Sequence, residues 1–568
     1  MYKTISILLG LIILTGCSVK SGKENNKLIE GQDIIADSGM VVSAHSQSSR
    51  TGVNILRKGG NAVDAAVATG FALAVCYPEA GNIGGGGFML IRTRDGKTEV
   101  IDYREKAPVS ASRDMYLDNS GNVSVGLSTD THLASGVPGS VDGMITAHSK
   151  YGKLPFKEII QPAIDLAEKG FQVTAQQADD FNSNRKTFIE RNSFKSPFVK
   201  NSIWKEGDIL VQTDLAETLK RIRDYGRDGF YSGKTARLMI KEMKKDKGIV
   251  SERDLEEYKS VSRVPLSDDY KGYKIITVPP PSSGGITLIQ LLKMTEAYPF
   301  REWGFHSTQT IHVMTEAERR AFADRSKYLG DPDFIQIPVD KLVSKNYLLH
   351  RMRSFDEKKA SSSQEIRAGS PESYTSEETT HYSVVDAEGN AVATTTTLNN
   401  TFGNSIVIDS AGFLLNNEMD DFSVKPGFPN MYGLVGGEAN SVQPGKRMLS
   451  SMTPTIVEKE GKLLLVVGSP GGSTIPTTVF QVIINVLDFG MNIGQAVDAG
   501  RIHHQWLPDW ISYEKNAIDS TTLAKLHYMG HVLKERNAIG SINAIMVLPG
   551  GKKAGGADKR GNNSSCGY

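Results

Sequence analysis

The chain has 568 residues, 39% of them hydrophobic, with 65 basic against 64 acidic side chains and a net charge of +1. That balance gives no electrostatic case for nucleic acid or an anionic surface, and three cysteines, at 17, 76 and 566, imply no disulfide framework. No metal ligand set stands out, because His503 and His504 are adjacent and on a strand would point to opposite faces.

Residues 1 to 17 carry one early lysine, a short apolar run and a small residue before Cys17, the pattern of a secretory signal. The run is well short of the ~20 residues that a membrane-spanning helix needs. Leu14-Thr15-Gly16-Cys17 resembles the bacterial lipoprotein box, which implies removal of residues 1–16 and acylation of Cys17; an unmodified signal peptide is the alternative. Residues 17–35 then read as a polar tether, and the expected location is outside the cytoplasm, lipid-anchored to a bacterial membrane and facing the periplasm or cell exterior.

Helical patterns follow at 61–76, 157–168, 214–225, 235–244 and 308–327, with strands at 87–93, 100–104 and 274–278. Gly229 to Thr235 looks like a phosphate loop, but it has one residue too few between its glycines and follows no strand, so it is rejected. Residues 356–378 are rich in Ser, Glu and Lys with little to bury, and are expected to be loose and exposed.

The second part is richer in strands. Asp386 to Asn390 reads as a three-residue hairpin loop with Gly389 left-handed. Counting outward puts Val385 opposite Ala391 and Thr379 opposite Thr397, where the Thr397 hydroxyl could hold the Thr379 rotamer. A backbone cut before Thr379 would give it a free α-amine of pKa about 7.7 to 8.0, poised to take the proton of its own attacking hydroxyl. On alternation alone the stretch is also an ordinary surface strand. Further on, the strand run 463–467 leads through Gly468-Ser469-Pro470-Gly471-Gly472 into an apolar helix, a turn whose N–H groups can face a developing negative charge; many such turns carry glycines for packing alone.

Together with the threonine hairpin, the segments Gly59 to Ala66, Gly84 to Phe88, Asp102 to Glu105, Ser135 to Gly139, Pro280 to Gly285, Leu415 to Phe422, Leu449 to Met452 and His503 to Pro508 make the chain resemble the γ-glutamyltranspeptidase family of N-terminal nucleophile hydrolases, over nearly everything after residue 35. The resemblance implies an α/β (α+β) fold, a four-layer αββα sandwich cut between Glu378 and Thr379 into intertwined subunits of residues 36–378 and 379–568. It implies Thr379 as nucleophile, Thr397 as its partner, and Gly471 and Gly472 as oxyanion donors. Arg104, Ser450 and Ser451 would clamp a substrate α-carboxylate; Asn399, Glu418 and Asp421 would hold its α-ammonium. A guanidinium fork suits a carboxylate, though Arg104 could also be a strand-surface ion pair and Asp421 a helix cap. Residues 426–433 would form a lid with Tyr432 as gate, or else an ordinary Pro/Gly loop.

The expected substrates are glutathione and other γ-glutamyl compounds, with water, amino acids or short peptides as acceptors and no cofactor. Two other readings stay open: an acylase of glutaryl-type β-lactam side chains with the same fold, and a non-catalytic lipoprotein that retains the fold as a binding module. The C-terminal stretch 559–568 departs from the acidic, apolar ending common in relatives.

Overall fold

The computed structural model describes residues 27–368, 380–428, 431, 434 and 436–568. Its centre is a pair of stacked antiparallel sheets. The first has eight strands in the order Ile29–Gly31, Ser564–Gly567, Met40–Ser43, Thr380–Val385, Ala391–Thr397, Gly86–Arg92, Thr98–Asp102 and Val261–Arg263. The second has seven, in the order Ile35–Ala36, Lys553–Ala557, Asn543–Val547, Lys462–Gly468, Thr455–Lys459, Tyr273–Thr277 and Leu266–Tyr270. Both sheets therefore interleave strands from before and after position 379.

Side-chain alternation makes the layers. Val385, Ala391 and Ala393 face the gap between the sheets with Phe88, Leu90, Ile456, Val466 and Ile545, while Tyr382, Val384 and Val392 face outward into a core shared with helices on that side. A second outer core joins Leu465 and Val467 to the helices Gly284–Thr295, Thr308–Tyr328 and Thr474–Leu487. The result is helix, sheet, sheet, helix.

Ala62–Cys76 is apolar on all sides and every residue in it is buried, as a helix enclosed on all faces must be. Asn61 and Asp64 form its capping box. Ala62 N–H donates to the Asp386 carboxylate (3.0 Å), and that carboxylate also takes the N–H groups of Glu388 and Asn390 (2.9 Å each). The hairpin turn is thus fixed to a buried helix N-terminus, where a carboxylate is favoured.

The hairpin register agrees with the sequence count: Val385 pairs with Ala391 and Thr380 with Thr396, Asp386 N–H donates to Asn390 O (3.1 Å), and Gly389 has φ +88°. The four glycines 84–87 serve a different need. A Cβ on Gly85 would stand 1.9 Å from Thr397 O, one on Gly87 2.2 Å from Thr395 O, and one on Gly86 2.5 Å from the Glu105 carboxylate. They let strand Gly86–Arg92 and its lead-in lie against the hairpin with no side chain between.

Two expectations need correction. The tether expected over 17–35 is part of the sheets from residue 29 onward, because Ile29–Gly31 pairs with Ser565–Gly567 and Ile35–Ala36 with Lys553–Ala554, while Ile34 packs on the core between the sheets. The segment 356–378, expected to be loose and exposed, is exposed at 356–359 but docked beyond them as far as it is described: Ser363, Ile366 and Ala368 are 1%, 9% and 4% exposed. The unusual C-terminus also has a place. Arg560 bonds Glu514 (2.6 Å) and Asp558 (3.0 Å), and Ser564–Gly567 is an interior strand of the first sheet.

Gly85→Ala must push the hairpin off the glycine lead-in, and we expect it to destabilise the fold by about 3 kcal/mol. Gly389→Asn, at a left-handed turn position with open space around it, is expected to cost less than about 1 kcal/mol. Denaturant unfolding of the two variants checks this, and equal costs would contradict the close-approach argument.

Candidate active site

Four of the residues singled out in the sequence, Cys17, Glu378, Thr379 and Tyr432, lie outside the described residues. The others gather at one end of the hairpin. Thr397 ends its strand buried, and its Oγ1 accepts the Asn399 N–H (2.8 Å). Asn399, at φ +75°, turns the chain back and donates from Nδ2 to Asn417 O (3.0 Å), which ties the hairpin end to the segment carrying Glu418 and Asp421. Asn82, which sequence reasoning missed, donates to Thr397 O (2.8 Å) and accepts Gly85 N–H (2.9 Å).

The glycine loop comes from the second sheet. His381 packs its ring against Gly468, where a Cβ would stand 2.3 Å from Cε1, so the end of strand Lys462–Gly468 meets the start of strand Thr380–Val385. Gly471 and Gly472 follow at φ +122° and +48°, values that favour glycine. Their carbonyls accept the Thr474 and Ile475 N–H groups (3.0 Å each), starting the helix Thr474–Leu487. Neither glycine N–H has an acceptor among the described residues.

The bond from Asn399 to Asn417 leads on to a buried ionic cluster. Arg104 is fully buried, and its guanidinium bonds Glu418 through one terminal nitrogen and Asp421 through the other. It also reaches Glu105 (3.4 Å) and the carbonyls of Met448 and Leu449 (3.3 Å each). The residues expected to hold opposite ends of a zwitterion are therefore bonded to one another. Glu418 and Asp421 sit on a short 3-10 turn, Glu418–Asp421, started by Asn416 Oδ1 accepting Glu418 N–H (3.1 Å).

A second arginine joins them. Arg325, near the end of the helix Thr308–Tyr328, donates to Ser451 Oγ (3.0 Å) and Ser283 Oγ (2.8 Å). Ser283 in turn donates from its backbone N–H (2.7 Å) and its hydroxyl (2.6 Å) to Ser450 O, and Ser450 Oγ accepts Met452 N–H (3.0 Å). Burial pulls the Arg325 guanidinium down to about 10, against the opposing charge of Asp421.

Three carboxyls thus share the site with two guanidiniums, and burial raises all three. Glu105 is pushed up to about 7 despite Arg104, Glu418 stands well above the ordinary carboxylate range, and Asp421 is raised as well. Among the described residues, Glu105 Oε1 and Glu418 Oε2 are buried without a hydrogen-bond partner. Carboxyl oxygens left unpaired are costly in a closed protein, and a cationic ligand group would both pair them and draw their protons off. Asp420 faces elsewhere: it accepts the Ser128 hydroxyl (2.6 Å) and Met431 N–H (3.1 Å), and so holds Met431 within the Pro/Gly-rich stretch 426–433 expected to be a lid.

Among the described residues one trio, His312, Glu316 and His531, has ligand atoms within 4.8 Å of one another. Its donors are already engaged, since His312 Nδ1 meets His531 Nε2 (2.8 Å) and Glu316 is ion-paired with Arg319 and Arg320, two cations that would oppose a metal. Also among the described residues, no helix is long and apolar enough to cross a membrane.

The sequence profile described as Gamma-glutamyltranspeptidase matches residues 48–568. A glutathione hydrolase proenzyme of Escherichia coli (strain K12) is 50% identical over 527 residues, covering 92% of this chain and 91% of its own length. Among solved structures, the γ-glutamyltranspeptidase of Helicobacter pylori is 45% identical, with a TM-score of 0.57 over 58% of this chain and 94% of that one. Cephalosporin acylase from Bacillus halodurans, 24% identical, shares the fold with a TM-score of 0.83 over 98% of this chain and 99% of its own. The sandwich is that of the N-terminal nucleophile hydrolases, and the chain belongs to the γ-glutamyltranspeptidase family.

Proposed function

We propose that this chain is a self-processing γ-glutamyltransferase and glutathione hydrolase with Thr379 as nucleophile. In processing, Thr379 Oγ attacks the Glu378 carbonyl carbon, the peptide C–N bond breaks as an ester forms, and water hydrolyses the ester to a Glu378 carboxylate and a free Thr379 amine. In turnover the same oxygen attacks the γ-carbonyl of the donor while the α-amine takes its proton. Gly471 and Gly472 N–H groups receive the negative charge on the carbonyl oxygen. The proton passes to the leaving amine, and water or the amine of an acceptor then releases the γ-glutamyl group.

The observation that carries this reading is the buried cluster of Arg104, Glu418 and Asp421 beside Ser450, Ser451 and Arg325. A site with buried charges of both signs and orphaned carboxylate oxygens fits a zwitterion better than an apolar side chain. Held by its α-carboxylate and α-ammonium, a glutamyl group presents its γ-carbonyl, three carbons away, to the nucleophile. Asn399 completes the ammonium side, and Tyr432 on the lid would close over the bound group. This charge pattern also favours γ-glutamyl over glutaryl donors, which lack the ammonium. For location, the residues before 27 carry the proposal: export, cleavage before Cys17, and an acyl anchor at its sulfur, stable only with two or more chains.

Thr379→Ala is expected to leave one intact polypeptide on denaturing electrophoresis and to abolish glutathione cleavage. Retained cleavage would assign the chemistry to another residue. Arg104→Lys keeps the charge but loses the two-pronged fork, so kcat/KM for a γ-glutamyl anilide should fall roughly 100-fold, about 3 kcal/mol, chiefly through KM. A donor without an α-carboxylate should be little affected, and equal losses on both would mean that Arg104 acts only on the fold.

A further inference from the structure

The segment that leads toward position 379 does not hang free after the helix Lys345–Met352. Ser361 N–H donates to Glu316 (3.0 Å) and Ser363 N–H to Asp509 (2.7 Å). The Trp506 indole N–H is shared between the carbonyls of Ser363 (2.8 Å) and Ile366 (2.6 Å). Arg319 bridges Asp509 and the Ser363 hydroxyl. The strap thus ends on a dock built from the loop after strand Ile502–His503.

That loop is shaped for the purpose. Trp506 holds φ +67°, a left-handed conformation that a bulky residue adopts only when its surroundings impose it. Its N–H donates to His504 Nδ1 (3.1 Å), which leaves the His504 proton on Nε2, bonded to Asp509 (3.2 Å). One indole N–H and one carboxylate are thereby presented to the strap. None of these groups has a part in the chemistry described above.

Resting on the reading that the chain cuts itself before Thr379, we propose that Trp506 and Asp509 are positioning residues for that cut. They anchor the strap at Ile366, which leaves the 13 residues 367–379 before the paired Thr380; without them the next hold back is Ser361 N–H on Glu316, which leaves 18. Shortening the run from 18 to 13 residues raises the probability of reaching one geometry by roughly 1.6-fold, whereas doubling it lowers that probability roughly threefold. The dock supplies that restriction before the Glu378 carbonyl meets the hydroxyl. After the cut it still holds the larger fragment at Ser363 and Ile366.

The test is a time course of self-cleavage after cell-free synthesis, with a 14-residue Gly/Ser insertion at one of two points. Placed after Ala368, it doubles the loop downstream of the dock and should slow cleavage roughly threefold. Placed between Ser361 and Ser362, after the Ser361 bond to Glu316 but upstream of the dock, it should change nothing. In a Trp506→Phe/Asp509→Ala background the upstream insertion should slow cleavage as well, whereas Asp509→Asn, which keeps an acceptor for Ser363 N–H, should restore its silence. Fully processed material from each variant should turn over a γ-glutamyl anilide with unchanged kcat and KM. Equal slowing by both insertions in the otherwise unaltered chain, or an upstream insertion that stays silent after the dock is removed, would overturn the proposal. Absence of any cleavage in the unaltered chain would instead overturn the functional reading on which it rests.

Discussion

The interior position of strand Thr380–Val385 is the constraint on which the rest depends. It pairs along its length with Ala391–Thr397, and from Ser383 onward with Met40–Ser43 on its other edge. Its turn is tied to the buried helix Ala62–Cys76 through Asp386. A strand held in this way cannot slip by one residue without turning Tyr382 and Val384 into the gap between the sheets. A cut just ahead of it leaves its pairing whole, and the interleaved sheet order keeps the two pieces in one core.

The site then follows from what the two sheets bring to the open end of that strand. The second sheet delivers the loop Gly471-Gly472, set beneath the strand by the contact of Gly468 with His381. The first delivers Arg104 from just beyond the strand Thr98–Asp102. Charges of both signs are concentrated there in a dry place, and burial drives the carboxyls upward. That is poor design for stability alone, because a buried ion pair rarely repays its desolvation. It is a sensible preparation for a ligand that brings one charge of each sign.

Much of this was legible in the sequence because it rests on local chemistry. The turn Asp386 to Asn390 fixed the hairpin register, and alternation with glycine punctuation located the strand-loop-helix unit around Gly471. The resemblance drew Arg104, Glu418, Asp421, Ser450 and Ser451 together across more than 300 residues of separation. What stayed hidden depends on tertiary approach. Arg325 is one cation among several on a long helix, and only the fold brings it to Ser451. Asn82 acts through hydrogen bonds to a strand end more than 300 residues away. Low apolar content made 356–368 look loose, but its backbone is satisfied by Glu316, Asp509 and Trp506, partners that no composition argument reveals. The N-terminal strand Ile29–Gly31 was read as tether because its pairing partner is the far end of the chain.

The central claim is that one residue, Thr379, carries the acyl group on its side-chain oxygen while its own backbone nitrogen is free. Mass spectrometry of the mature protein, quenched in acid during turnover of a slow γ-glutamyl donor, tests this most directly. The account predicts a γ-glutamyl ester on the first residue of the smaller fragment, with that residue being Thr379. An adduct on any other side chain, or an active protein whose smaller fragment begins elsewhere, would contradict it.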